Sequence, residues 1–130
     1  MPKVDDAIAA YMAERTEARL RELDRALIKE PFVVPVGAEV TEKGRGKYDV
    51  PVVCVRTNRG QDAIPAFTSV EHMLAWKPSG GIHTVLTGDA LLRLAQDMPE
   101  VSEILINCAD APRGAIPRSD FARLLKLGGR

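Results

Sequence analysis

The chain has 130 residues, the size of one domain, and is long enough to bury a hydrophobic core without metal or disulfide staples. Its 18 Lys and Arg balance 18 Asp and Glu, so no global field draws nucleic acid or anionic membrane to it, and neither is expected as a partner. Two cysteines make no disulfide framework, no signal-peptide pattern opens the chain, and no apolar run reaches the roughly 20 residues of a membrane span. The expected location is the cytoplasm.

In chain order, residues 5–29 predict one long helix. Asp5 or Asp6 is placed to cap it, and Pro31 ends it. Leu20, Leu23, Leu27 and Ile28 form a core-facing cluster. Ile8, Tyr11 and Met12 form a second one that is surplus to a single core and is a candidate self-association face. A strand over 32–36 leads to a polar, glycine-containing loop over 37–49. A valine-rich strand over 50–57 follows, then a turn at Asn58-Arg59-Gly60 and a returning strand over 62–67. Pro65 places that strand at an edge or a bulge, because proline donates no ladder hydrogen bond.

Thr68-Ser69-Val70-Glu71 matches a capping box opening a short helix through Trp76, with Thr68 as the cap and Glu71 reaching back. A strand over 82–86 follows, then a helix from Thr87-Gly88-Asp89 to Pro99 and a strand over 103–107. The last helix carries Phe121, Leu124, Leu125 and Leu127, with Gly128-Gly129 at its end. These elements predict a single α+β domain over 1–130: a small mixed sheet of about five strands flanked by helices, with a body over 32–127.

The catalytic inventory is thin. No CxxC, HExxH or HxxxH spacing offers a metal site, and Lys43 to Lys47 lacks the spacing and the Ser or Thr of a phosphate loop. A thiol nucleophile would need Cys54 or Cys108 to meet His72 or His83 in space. Both cysteines lie in apolar runs, where thiols tend to be inert. No cofactor is expected.

The segment Ala63 to Trp76, with Ile64-Pro65-Ala66-Phe67-Thr68-Ser69, Glu71, Leu74 and Trp76, resembles the signature of the SseB N-terminal domain family. The resemblance continues through Thr87-Gly88-Asp89-Ala90-Leu91-Leu92, Ile104-Leu105-Ile106-Asn107 and the helix after Ile116-Pro117-Arg118, over roughly residues 20–127. Where the family has proline after the asparagine, this chain has Cys108. The resemblance implies a bacterial cytosolic module without established catalytic residues, named for enhanced serine sensitivity.

Phe67, Thr68, Ser69, Glu71, Trp76 and Asn107 are the candidate binding residues. They also have structural readings, as core, cap and turn residues. The leading expectation is a non-catalytic interaction module that binds a protein partner or itself. A second is a sensor for an amino acid or anion held near Ser69 and Asn107. A cysteine-dependent enzyme is the third.

Overall fold

A computed structural model of the protein describes residues 3–38, 41–44 and 47–129. Helix α1 (Lys3–Ala13) and helix α2 (Glu17–Lys29) replace the single helix expected over 5–29. The break falls at Glu14-Arg15-Thr16, where the Thr16 hydroxyl accepts from the Arg19 N–H and caps α2. Turning the chain there folds α1 along α2, so that Val4 and Ile8 enter the same core as Leu27 and Ile28. A straight helix would have carried them into solvent. Ile8 is 4% exposed. Its expected place on a self-association face is therefore wrong, whereas Met12 is exposed and Tyr11 is half-covered, with the Arg15 guanidinium over its ring.

Strand β1 (Pro31–Pro35) begins at the proline that stops α2. The region expected to be a loop contains a short antiparallel hairpin of β2 (Thr41–Gly44) and β3 (Lys47–Asp49). Residues 39–40 and 45–46 of that expected loop lie outside the described residues. Of the strand expected over 50–57 only β4 (Val55–Arg56) is regular, with Val52 making an isolated bridge to Val36. Then follow β5 (Asp62–Ala66), α3 (Val70–Trp76), β6 (His83–Thr87), α4 (Gly88–Gln96), β7 (Val101–Ile106), β8 (Gly114–Pro117), a 3-10 turn over Arg118–Asp120, and α5 (Phe121–Gly129). No helix among the described residues is long and apolar enough to cross a membrane.

A mixed sheet in the order β4-β5-β7-β8 forms the body, parallel between β5 and β7 and antiparallel elsewhere. β1 and β6 form an antiparallel pair. It joins the larger sheet through Val33, whose N–H and C=O both bond to Phe67, at 2.7 and 2.9 Å. This junction explains Pro65. Along β5, Ala63 pairs outward with Val55 and Phe67 with Val33. Pro65 falls between them, where β4 has ended and β1 has not begun to pair. The proline therefore sits inside an inner strand rather than at an outer edge, opposite a local gap that asks for no N–H.

Strand alternation sorts the side chains. Phe32, Val34, Ile64, Ala66, Ile104 and Ile106 face a main core covered by α1, α2, α4 and α5. Val33 and Phe67 point the other way, into a smaller cluster with Met73 of α3 that also takes Trp76 and Cys108. Two polar devices fasten the helical layer. The Arg118 guanidinium donates to the carbonyls of Ala95, Gln96, Met98 and Val101, gathering the carbonyls at and just beyond the end of α4. Arg123 of α5 pairs at 2.7 Å with buried Asp24 of α2. Gly128 is not a helix stop as expected; it lies within α5, where a β-carbon would stand 3.2 Å from Ile28.

Gly88 marks the tightest joint. Its N–H bonds to Glu30 C=O, and a β-carbon there would lie 1.5 Å from the Leu27 carbonyl oxygen. Backbone cannot yield as a side-chain tip can. Gly88→Ala is expected to cost about 3 kcal/mol or more by forcing α4 off α2, read as a shift in urea midpoint. An unchanged midpoint would show that the α2–α4 joint is looser than described.

Candidate functional site

The residues expected to form a polar recess are brought together, but around partners that the local sequence does not announce. Asn107 ends β7 in a left-handed conformation, φ 52°, which asparagine tolerates better than most side chains. It is 0% exposed. Its N–H bonds to Ala66 C=O, and its side-chain oxygen accepts from the Thr68 N–H at 3.1 Å. Its amide nitrogen donates to Asp5 Oδ1 at 3.1 Å, Thr68 Oγ1 at 3.1 Å and Pro112 C=O at 3.0 Å. The Thr68 hydroxyl donates its own hydrogen bond to Asp5 Oδ1. One side chain thus ties α1, the β5–α3 turn and the loop before β8.

His72 extends the cluster outward. Its Nε2 lies 2.9 Å from Asp5 Oδ2 and its Nδ1 lies 2.8 Å from Asp110 Oδ1. A neutral imidazole has one N–H, so only the imidazolium can donate to both carboxylates at once. Burial opposes that charge, but hydrogen bonds to Asp110 and Asp5 outweigh it and raise the His72 pKa above its ordinary 6.5. Asp5, inside α1 and buried, is therefore not a helix cap as expected; it is the common acceptor of Thr68, Asn107 and His72.

The expected capping box is also rearranged. Ser69, not Thr68, caps α3 by accepting from the His72 N–H at 3.2 Å. Glu71 is exposed and takes no part in the cap. Phe67 is buried, with its ring centroid 5.5 Å from that of Trp76, so this pair fills the smaller cluster. The polar groups proposed to hold an amino acid or anion are engaged inside the protein. Among the described residues, no buried side-chain nitrogen or oxygen lacks a partner.

The thiols stand apart from this chemistry. Burial raises the pKa of both Cys54 and Cys108 above 9.0, which works against a thiolate nucleophile. Neither His72 nitrogen faces a thiol, since both are taken by carboxylates. Among the described residues, no group of three or more His, Cys, Asp or Glu is arranged to hold a metal ion.

The opposite kind of surface lies at β6. Val33 directs its N–H and C=O to Phe67, so its antiparallel partner Val85 is in a non-hydrogen-bonded pair and turns its own N–H and C=O outward. Val85 is 58% exposed and neighbouring Ile82 is 50% exposed. Val85 shares a sheet face with Val33, whose side chain packs against Met73 of α3. On α3, which packs on β1, Val70 and Leu74 are exposed one turn apart.

Fold and site together define a small α+β domain with a sealed polar knot and an apolar sheet edge. The chain belongs to the SseB N-terminal domain family, whose model matches residues 4–120. The match begins earlier than the resemblance traced from residue 20, and so takes in α1 and Asp5. Comparison with curated proteins and with solved structures finds no match.

Two outcomes follow from the knot. Asn107→Ala should cost about 3 kcal/mol, from unpaired buried partners and a disfavoured backbone conformation. Asn107→Gly should recover about 1 kcal/mol of that loss, because glycine accepts positive φ; equal urea midpoints for the two variants would remove the backbone share. For His72 the folded pKa is the higher one, so its contribution is complete below the unfolded value near 6.5 and is lost as pH rises through the folded value. As pH rises from about 6.5 the wild type should lose more stability than His72→Gln. Parallel stability curves for the two proteins would contradict the imidazolium.

Proposed function

We propose that the domain is a non-catalytic protein-interaction module, working in the cytoplasm, that takes an extended segment of a partner chain onto the outer edge of β6. The observation that carries this reading is the outward N–H and C=O of Val85, an exposed apolar residue in the middle of an edge strand. Sheet edges of this kind are normally blunted by lysine, proline or another charge. From Ile82 to Thr87 the sequence is Ile-His-Thr-Val-Leu-Thr, without Lys, Arg, Asp, Glu or Pro. A strand added there gains main-chain hydrogen bonds, and its alternate side chains reach Val85, Ile82 and the Leu74 flank of α3. The partner chemistry that fits is therefore an extended peptide with apolar residues at every second position.

The engaged side chains of Thr68, Ser69 and Asn107 favour this surface over a ligand recess at the knot. Two half-buried free cysteines suit a reducing compartment.

A displayed library of extended peptides tests the reading. Selected binders should carry alternating apolar residues and protect the Val85 amide from hydrogen exchange. Val85→Lys should weaken them by about tenfold or more without changing thermal stability, because the side chain is exposed. If selected peptides leave the His83 and Val85 amides unprotected, the β6 reading is wrong. Concentration-dependent pairing through the same amides would make the partner a second copy of this chain.

A further inference from the structure

The β4–β5 turn and the loop between β7 and β8 enclose an open groove of about 610 Å³. Arg56, Arg59 and Arg113 line it, with Leu105 and Cys108 as apolar surface and Glu103 as the sole carboxylate among the lining residues. The chain as a whole carries no net charge, whereas here three guanidinium groups face Glu103 and, beside Arg56, Asp62, which leaves a local positive excess.

The arginines differ in how they are held. Arg56 is tethered, donating to Gly60 C=O at 2.9 Å and lying 3.7 Å from Asp62. Among the described residues, the guanidinium groups of Arg59 and Arg113 make no hydrogen bond or ion pair. Asp110, the acidic group nearest in sequence to Arg113, is committed to His72. The hairpin that carries Arg59 is itself ordered: Thr57 Oγ1 accepts from the Arg59 and Gln61 N–H groups, and the Gly60 N–H bonds to Thr57 C=O.

We infer that this groove binds a small organic anion whose carboxylate or phosphate meets Arg59 and Arg113 while its apolar body rests on Leu105. Guanidinium is the side chain suited to such oxyanions, because its paired N–H groups match two oxygens at once. The inference is independent of the β6 edge. It also moves the expected anion site from Ser69 and Asn107, whose polar groups are already used, to unpaired cations.

Phenyl phosphate, benzoate and benzyl alcohol, titrated against the intact chain and followed by NMR, form the test. One or both anions should bind saturably at low millimolar concentration, shifting Arg59, Leu105 and Arg113 together, while the neutral alcohol does not. The tighter of the two identifies the head group. Arg59→Ala with Arg113→Ala should lower that affinity by about tenfold or more; both side chains are exposed, so the fold is retained. No saturable shift up to about 20 mM, equal shifts with benzyl alcohol, or unchanged binding in the double variant would each overturn the inference.

Discussion

Asp5 accepts hydrogen bonds from three parts of the chain that lie more than sixty residues away in sequence. The Thr68 hydroxyl, the Asn107 amide and the His72 imidazole all converge on its carboxylate. A buried carboxylate without such partners would be strongly disfavoured, and a buried asparagine would be costly too. Each therefore needs the other elements in place. Placing α1 over the sheet satisfies Asp5, and satisfying Asn107 stabilises the left-handed turn that ends β7. The knot also sits between the two cores: α1 contributes Val4 and Ile8 to the larger one, and His72 belongs to the helix that covers the smaller. Partial satisfaction would be worse than none, which makes such a network a device for selecting one arrangement.

This reading changes what the polar residues mean for function. Thr, Ser and Asn near a helix start can look like ligand groups, but here their hydrogen-bonding capacity is used internally. Among the described residues, two unpartnered features bear on function, at two places. One is main chain and apolar surface along β6; the other is the pair of free arginines beside the sheet. A protein segment suits the first and an organic anion the second.

Much of the fold was legible because it rests on local chemistry. The leucine spacing of α2, the proline that stops it, the glycine turn at 58–60 and the apolar runs of β5 and β7 each declare themselves within a few residues. The division between α1 and α2 was not, since Glu14-Arg15-Thr16 suits an exposed helix surface as well as a cap. Only the burial of Val4 and Ile8 decides it. Pro65 was misread because its permissive gap is made by two other strands. Within the site, Thr68 and Asn107 stand out in the sequence by type and context, although the cap expected of Thr68 falls to Ser69. Asp5, His72 and Asp110 do not, because their pairing spans 67 and 38 residues and carries no motif. The bareness of β6, by contrast, is visible in Ile82 to Thr87 once the strand is known to be an edge.

A double-mutant cycle between Asp5→Ala and His72→Ala, with each variant's urea unfolding measured near pH 6, tests the central constraint most directly. Mutual dependence predicts a coupling energy above about 1 kcal/mol, because either substitution alone strands the partner in a half-buried site. Additive losses, with coupling near zero, would mean that the two side chains act separately and that α1 is held by its apolar contacts alone.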